Sequence, residues 1–277
     1  MSNKSKNKRA AIVTGSAGIL GNAIIKKLAL SGISVVATDI NADQGRSIVG
    51  ELQRQGAEIT FIEGDLSRDD DISKICKGCK STYGSIDIIV NNARPKLTNV
   101  AFPESMNEWG VGMNILLTAP ALIARAAMPD LVESRGVIIN VSSTNSKFIS
   151  HQPLAYHVAK AGIEQLTRYL AYHYGPSGVR VNAVSPGLIS PPSDGVSLEK
   201  KNELTQAITD AVIPLRRAGN GDEIANLIMF LASEAASYIN GQTVVIDGGM
   251  TLGCQYHSAF QALKGVGNSY SEGGSEN

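Results

Sequence analysis

The chain has 277 residues, 43% of them apolar, and its 25 basic residues are balanced by 25 acidic ones. Zero net charge gives no electrostatic case for nucleic acid or membrane as a partner, and a small-molecule substrate fits best. The longest apolar runs fall far short of the ~20 residues a membrane span requires. With three cysteines and no export signal, no disulfide framework is expected; the reading is a single cytoplasmic α/β domain.

Residues 1–8 are polar, carry Lys4, Lys6 and Lys8, and are expected to form a flexible basic leader before a domain spanning 9–252. Ala10 to Val13 is a short apolar run that ends in Thr14-Gly15-Ser16-Ala17-Gly18-Ile19-Leu20-Gly21, with Ile24, Ile25 and Leu28 following at helical spacing. Strand, glycine turn and helix in that order make a diphosphate site at a helix N-terminus, whereas the turn alone would be a plain connection. Ile33 to Thr38 is the next strand, and Asp39 stands 18 positions after Gly21. A carboxylate there accepts hydrogen bonds from the adenosine ribose and repels a 2′-phosphate, so NAD is expected over NADP. Arg46 is the nearby cation that argues the other way, and a plain helix cap is the structural alternative for Asp39. Ile59 to Ile62 leads to Gly64-Asp65-Leu66, and Ile86 to Val90 leads to Asn91-Asn92-Ala93.

Cys76-x-x-Cys79, with Cys254 and His257 far downstream, has the outline of a metal site. Together with Ile72 and Ile75, however, the first two cysteines fall at i, i+3, i+4 and i+7, the apolar stripe of a helix, where a thiol acts as a small hydrophobe. No metal is expected. Glu104 to Leu131 reads as one long helix containing Trp109, Asn114 and Leu117, with Pro120 interrupting its hydrogen bonds and bending it.

Val137 to Val141 reads as a buried strand running into Ser143, and Leu154 to Tyr174 as a helix with Ile163, Leu166 and Leu170 in phase. Tyr156 and Lys160 are four apart on that helix and share a face. An ammonium beside a phenol favours the phenolate; lowering a tyrosine pKa of ~10 by about three units takes roughly 4 kcal/mol. The pair then forms a general acid/base, with Ser143 as donor to a reacting oxygen. The bland reading of such a pair is a solvated lysine near an interfacial tyrosine. Val179 to Val184 reaches Pro186-Gly187, residues 188–214 read as a substrate lid, and Asp222 to Ser233 reads as a capped helix. Thr243 to Ile246 is the last strand. Residues 253–277 form an extension, rich toward its end in Gly, Ser, Asn and Glu and expected to be partly disordered.

Thr14-Gly15, Asn91-Asn92-Ala93, Asn114, Ser143, Tyr156-x-x-x-Lys160 and Arg180-Val-Asn-Ala-Val-Ser-Pro186-Gly187 together resemble the short-chain dehydrogenase/reductase family over roughly residues 9–250. The resemblance implies a doubly wound Rossmann fold of about seven parallel strands with helices on both faces. It implies an NAD(H)-dependent oxidoreductase that interconverts a secondary alcohol and a ketone. Its catalytic residues would be Ser143, Tyr156 and Lys160, with Asn114 holding a proton-relay water. Cofactor contacts would come from Gly15, Ser16, Gly18, Ile19, Leu20, Gly21, Asp39, Asp65, Leu66, Asn92, Ala93, Tyr156, Lys160, Pro186, Gly187 and Ile189. A homodimer or homotetramer paired through the two long helices is also implied.

Two departures keep other readings open. Ile19 stands where the commoner pattern has a second glycine, a spacing similar to that of sugar-nucleotide epimerases, so an NAD-retaining epimerase or dehydratase is one alternative and a non-enzymatic NAD sensor another. Arg94 stands where the family usually has glycine. By resemblance it lies near the nicotinamide, where it would either hold a carboxylate or phosphate, with Lys147 and His151 as neighbours, or point to solvent.

Overall fold

The computed structural model describes residues 8–97, 105–190, 203–254 and 256–261. Seven strands form one parallel sheet: β1 Ala10–Thr14, β2 Ser34–Asp39, β3 Ile59–Glu63, β4 Ile88–Asn91, β5 Val137–Val141, β6 Arg180–Pro186 and β7 Thr243–Ile246, ordered β3-β2-β1-β4-β5-β6-β7. The central strands are short apolar runs because helices cover both of their faces. Successive side chains alternate between two cores. Ala11 and Val13 of β1 pack with α1 (Ile19–Leu30), α2 (Ala42–Arg54) and α8 (Gly221–Ala232). Ala10 and Ile12 pack on the other face with α3 (Asp69–Tyr83), α5 (Ala119–Ser134) and α6 (Leu154–Tyr174). Each fully buried Ile or Leu in these layers contributes roughly 2 kcal/mol of transfer free energy. The doubly wound sheet is thus as expected, and its order reverses between β1 and β4, which opens a crevice at the carboxyl ends of the strands.

The long helix expected over 104–131 is built differently. α4 (Met106–Met113) passes into a π turn, Asn114–Thr118, and then into α5. The Ala119 N–H reaches back to the Asn114 carbonyl, and Pro120, with no N–H, cannot restore the ordinary i−4 bond. The stretch Met106–Ser134 is long and apolar enough to cross a membrane. Ala119, Ile123, Ala127 and Leu131 are nonetheless fully buried against the sheet, so this is a core helix.

Cys76 and Cys79 lie on the buried face of α3 with Ile72 and Ile75. Burial pushes their thiols up, to about 11 and about 12. Cys254 is exposed. α8 is capped by Asn220, whose side chain accepts from the Glu223 N–H while Glu223 accepts from the Asn220 N–H, so the helix starts a residue earlier than Asp222. Most of the expected leader, residues 191–202 of the expected lid, and 262–277 of the extension lie outside the described residues.

Candidate active site

The turn after β1 is shaped by backbone contacts that exclude side chains. Gly15 has φ +65°, and a Cβ on Gly21 would fall 1.9 Å from the Gly15 carbonyl oxygen. Gly18 is different: a Cβ there would meet only that same oxygen, at 3.5 Å. Its lack of a side chain therefore serves whatever lies outside the turn. Gly18 is the N-cap of α1 and supplies no side-chain cap, so the first-turn N–H groups have no side-chain acceptor and the helix dipole faces the crevice. Asn92 locks the turn from β4, its Nδ2 donating to the carbonyls of Thr14 and Gly15 at 3.0 Å each. Thr14 Oγ1 accepts from the N–H groups of Asn92 and Ala93. Asp39 braces the other side: Oδ2 accepts from the Ala17 N–H at 3.0 Å and Oδ1 from the Asn41 N–H at 2.9 Å. An uncapped helix start, a glycine open to solvent and a carboxylate at the end of β2 fit a dinucleotide.

A cleft of about 770 Å³ runs from this turn to α6, lined by Gly15, Gly18, Ile19, Leu20, Asp39 and Asn92 at one end and by Ser143, Tyr156, Lys160 and Arg94 at the other. Pro186, Gly187 and Ile189, which follow from the end of β6, line it too. Ser143, Tyr156 and Lys160 are 8%, 8% and 5% exposed. Tyr156 sits in the first turn of α6, and Lys160 Nζ lies 5.6 Å from the tyrosine ring centroid and donates to the Val141 carbonyl at 2.5 Å. Burial, reinforced by the Arg94 charge, pushes the Lys160 pKa down to about 7. A phenolate or hydroxyl accepting from Nζ raises it again. Ser143 Oγ accepts from the Asn145 N–H at 3.2 Å and caps a short 3-10 turn.

Asn114 lines neither the cleft nor the small cavity beside Lys160. It is exposed at the start of the π turn. Two positions on, Leu116 is 2% exposed and packs against Tyr156 and Ala159. Behind Lys160 is a cavity of about 10 Å³ lined by Asn91, Leu116, Ile123 and Val141 among others. The Asn91 Oδ1 is buried with no partner among the described residues. This is room for about one water.

Asp65 and Leu66 lie outside the lining of the cleft: Asp65 Oδ1 accepts from the Ser67 N–H, and Leu66 lines the small inner cavity instead. Ser16 is buried, its N–H bonded to the Thr38 carbonyl, and does not line the cleft either; neither do Gly21 and Ala93. His151 is on the rim, and Lys147 is exposed outside it. Arg94 is in the wall, its guanidinium 4.9 Å from the Tyr156 ring centroid and bonded to Gln152 Oε1 at 2.6 Å. Several residues had no signal in the sequence. His157 donates from Nδ1 to the Asn145 carbonyl at 2.9 Å, fixing the loop between β5 and α6. Glu164, buried one turn beyond Lys160, accepts from Ser142 and Ser146 and ties the same loop to α6. Asn145, Gln152 and Met250 line the cleft from irregular segments.

Comparison with known proteins agrees with this architecture. The family described as enoyl-(acyl carrier protein) reductase matches residues 15–251. The 3beta-hydroxysteroid dehydrogenase 1 of Eggerthella lenta is 31% identical over 248 residues, covering 88% of this chain and 94% of its own. The 3-oxoacyl-(acyl-carrier-protein) reductase FabG of Chlamydia muridarum is 34% identical over 245 residues, 87% of this chain and 97% of its own. Among solved structures, that of gox2181 superimposes with a TM-score of 0.81 at 29% identity, over 89% of this chain and 97% of its own. An apo SCOR enzyme from Clostridium thermocellum gives 0.78 at 27%, over 89% and 94%. The chain belongs to the short-chain dehydrogenase/reductase family of nicotinamide-dependent oxidoreductases.

Proposed function

We propose that this protein is an NAD(H)-dependent oxidoreductase interconverting a secondary alcohol and a ketone. The observation that carries the reading is the convergence of Ser143, Tyr156 and Lys160 at one end of a cleft whose other end is the glycine turn and Asp39. NAD, when bound, supplies or accepts the hydride. The first turn of α1 holds its diphosphate, Asp39 takes the adenosine ribose hydroxyls, and Tyr156 and Lys160 take the nicotinamide ribose. Tyr156 Oη gives its proton to the carbonyl oxygen or takes one from the alcohol, Ser143 Oγ donates to the same oxygen, and Lys160 in its ammonium form favours the phenolate. Leu116 keeps bulk water from the inner side of the tyrosine, and the small cavity behind Lys160 leaves a path for one water to return protons.

The NAD preference is supported by charge. Among the described residues Asp39 is the only ionisable one lining the adenosine end, beside Asn41 and Gln44, and Arg46 is turned to Glu63 at 3.1 Å. Exposed apolar side chains on α6, Val158, Tyr169 and Tyr172, support self-association through that helix. The names of the two relatives, a hydroxysteroid dehydrogenase and an oxoacyl reductase, support carbonyl and alcohol chemistry rather than epimerisation. Absorbance at the reduced-nicotinamide band, read over a panel of secondary alcohols and ketones with NAD and with NADP, tests the proposal. Turnover favouring NAD is expected; nucleotide bound without net turnover across the panel contradicts it.

A further inference from the structure

The geometry points to Arg94 as the anchor for a carboxylate on the substrate, so that the alcohol or ketone turned over belongs to a short hydroxy acid or oxo acid. The assignment of a substrate class rests on the oxidoreductase reading above, whereas the anion site itself rests on Arg94 and its surroundings.

Arg94 is placed, not loose. Its guanidinium carbon stands 4.9 Å from the centroid of the Tyr156 ring, which favours a cation over its face. One Nη donates to Gln152 Oε1 at 2.6 Å. The ring and the amide hold the fork on the wall of the cleft, and among the described residues its one hydrogen-bond acceptor, Gln152, is neutral. Among the described residues Arg94 makes no ion pair. Four other arginines have partners of their own: Arg46 has Glu63, Arg217 has Glu223, and Arg9 and Arg180 donate to carbonyls at the end of α8.

Among the described residues near Arg94, none offers it a carboxylate. Among the described residues the only carboxylate lining the cleft is Asp39, which lies at the opposite end with both oxygens accepting from N–H groups. Near Arg94 the lining side chains are Gln152, Asn145, Ser150 and His151, none of them acidic. The remaining cation at that end, Lys160, is buried and donates to the Val141 carbonyl. A single planar fork with its donors unspent matches a singly charged planar acceptor, and a carboxylate accepts two parallel N–H bonds from it. Arg94 is exposed at the cleft wall, so a neutral ketone leaves its guanidinium hydrated, and a carboxylate adds a charge-assisted bidentate pair that the ketone lacks. Because the fork lies over the ring of the acid/base tyrosine, the carboxylate it holds is close to the reacting carbon.

The test uses the full-length protein, with and without NAD. Calorimetry measures binding of malonate, with dimethyl malonate and inorganic phosphate as controls, to the wild type and to Arg94→Met and Arg94→Lys. Malonate binding at least tenfold weaker in Arg94→Met, partly kept in Arg94→Lys, and absent for the diester is the expected result, with melting temperature and NADH affinity unchanged. In turnover, oxo acids are expected to exceed their methyl esters at least tenfold in kcat/KM, and Arg94→Met is expected to erase that preference through KM. Malonate binding indifferent to Arg94 overturns the proposal. So does phosphate held more tightly than malonate with the same Arg94 dependence, or an equal loss of kcat on acid and ester, which would leave Arg94 acting on Tyr156 alone. Arg94-dependent malonate binding with no turnover of any substrate keeps the anion site and sinks the hydride-transfer reading. Turnover of neutral ketones with no Arg94 dependence does the reverse.

Discussion

Leu116 packs against Tyr156 in the wall of the site, while Asn114, two residues earlier, is exposed. The two positions therefore behave oppositely. Leu116→Ala removes a fully buried side chain and is expected to destabilise by about 2–4 kcal/mol and to lower kcat by admitting water beside the tyrosine. Asn114→Ala is expected to change stability by less than about 0.5 kcal/mol and kcat/KM by less than about twofold. Chemical denaturation and steady-state kinetics on the two variants check this; a large loss of kcat in Asn114→Ala alone would return that residue to the mechanism.

The glycine turn separates folding from binding. Gly21→Ala forces a Cβ to 1.9 Å from the Gly15 oxygen and is expected to destabilise the domain strongly. Gly18→Ala has φ −74° and a nearest contact of 3.5 Å, so the fold is expected to survive. NADH affinity in Gly18→Ala is expected to fall about tenfold, because the new methyl group stands where the diphosphate approaches. Thermal melts with NADH titration by fluorescence distinguish the two.

Asp39 accepts from the Ala17 and Asn41 N–H groups and, among the described residues, supplies the only charge at the adenosine end. Asp39→Asn keeps an acceptor and removes the repulsion. The ratio of kcat/KM for NAD over NADP is expected to drop at least tenfold. An unchanged ratio would mean that Asp39 only braces the turn.

Lys160 makes stability depend on pH. Its folded pKa is lowered to about 7 from 10.5, by burial first and the Arg94 charge second. Between those values the unfolded chain binds a proton that the folded chain does not, so stability rises with pH across that window, and below pH 7 the cost of a buried ammonium is present in full. Lys160→Met, free of that cost, is expected to melt above the wild type near pH 6, with the gap closing as pH rises toward 10. Melting curves across pH check it, and a gap independent of pH would contradict the assignment.

Much of this site was legible in the chain. β5 falls on the largely apolar run Val137–Val141, whose residues are all buried under helices on both faces, and the edge strand β7 falls on Thr243–Ile246. Tyr156 and Lys160 were legible because α6 is regular and a spacing of four survives folding. The position facing Tyr156 was not. The π turn at Asn114–Thr118 shifts the helix phase, so spacing along the chain does not say which side chain faces Tyr156. Gln152, Asn145 and Met250 reach the cleft from loops and turns, where no periodicity marks which side chain faces inward. The glycine turn was read as a nucleotide site, but the division of labour among its glycines follows from close approaches that only the folded backbone creates.

The central claim is that Tyr156 is the group that moves the proton. The most direct measurement is turnover of Tyr156→Phe beside its NADH affinity, using the best substrate found for the wild type. The phenyl ring preserves the packing against Leu116 and Ala159 and the face toward Arg94, so only the hydroxyl is lost. A fall in kcat of about a thousandfold or more is expected, with NADH affinity within about threefold of the wild type. Turnover within about tenfold of the wild type would contradict it.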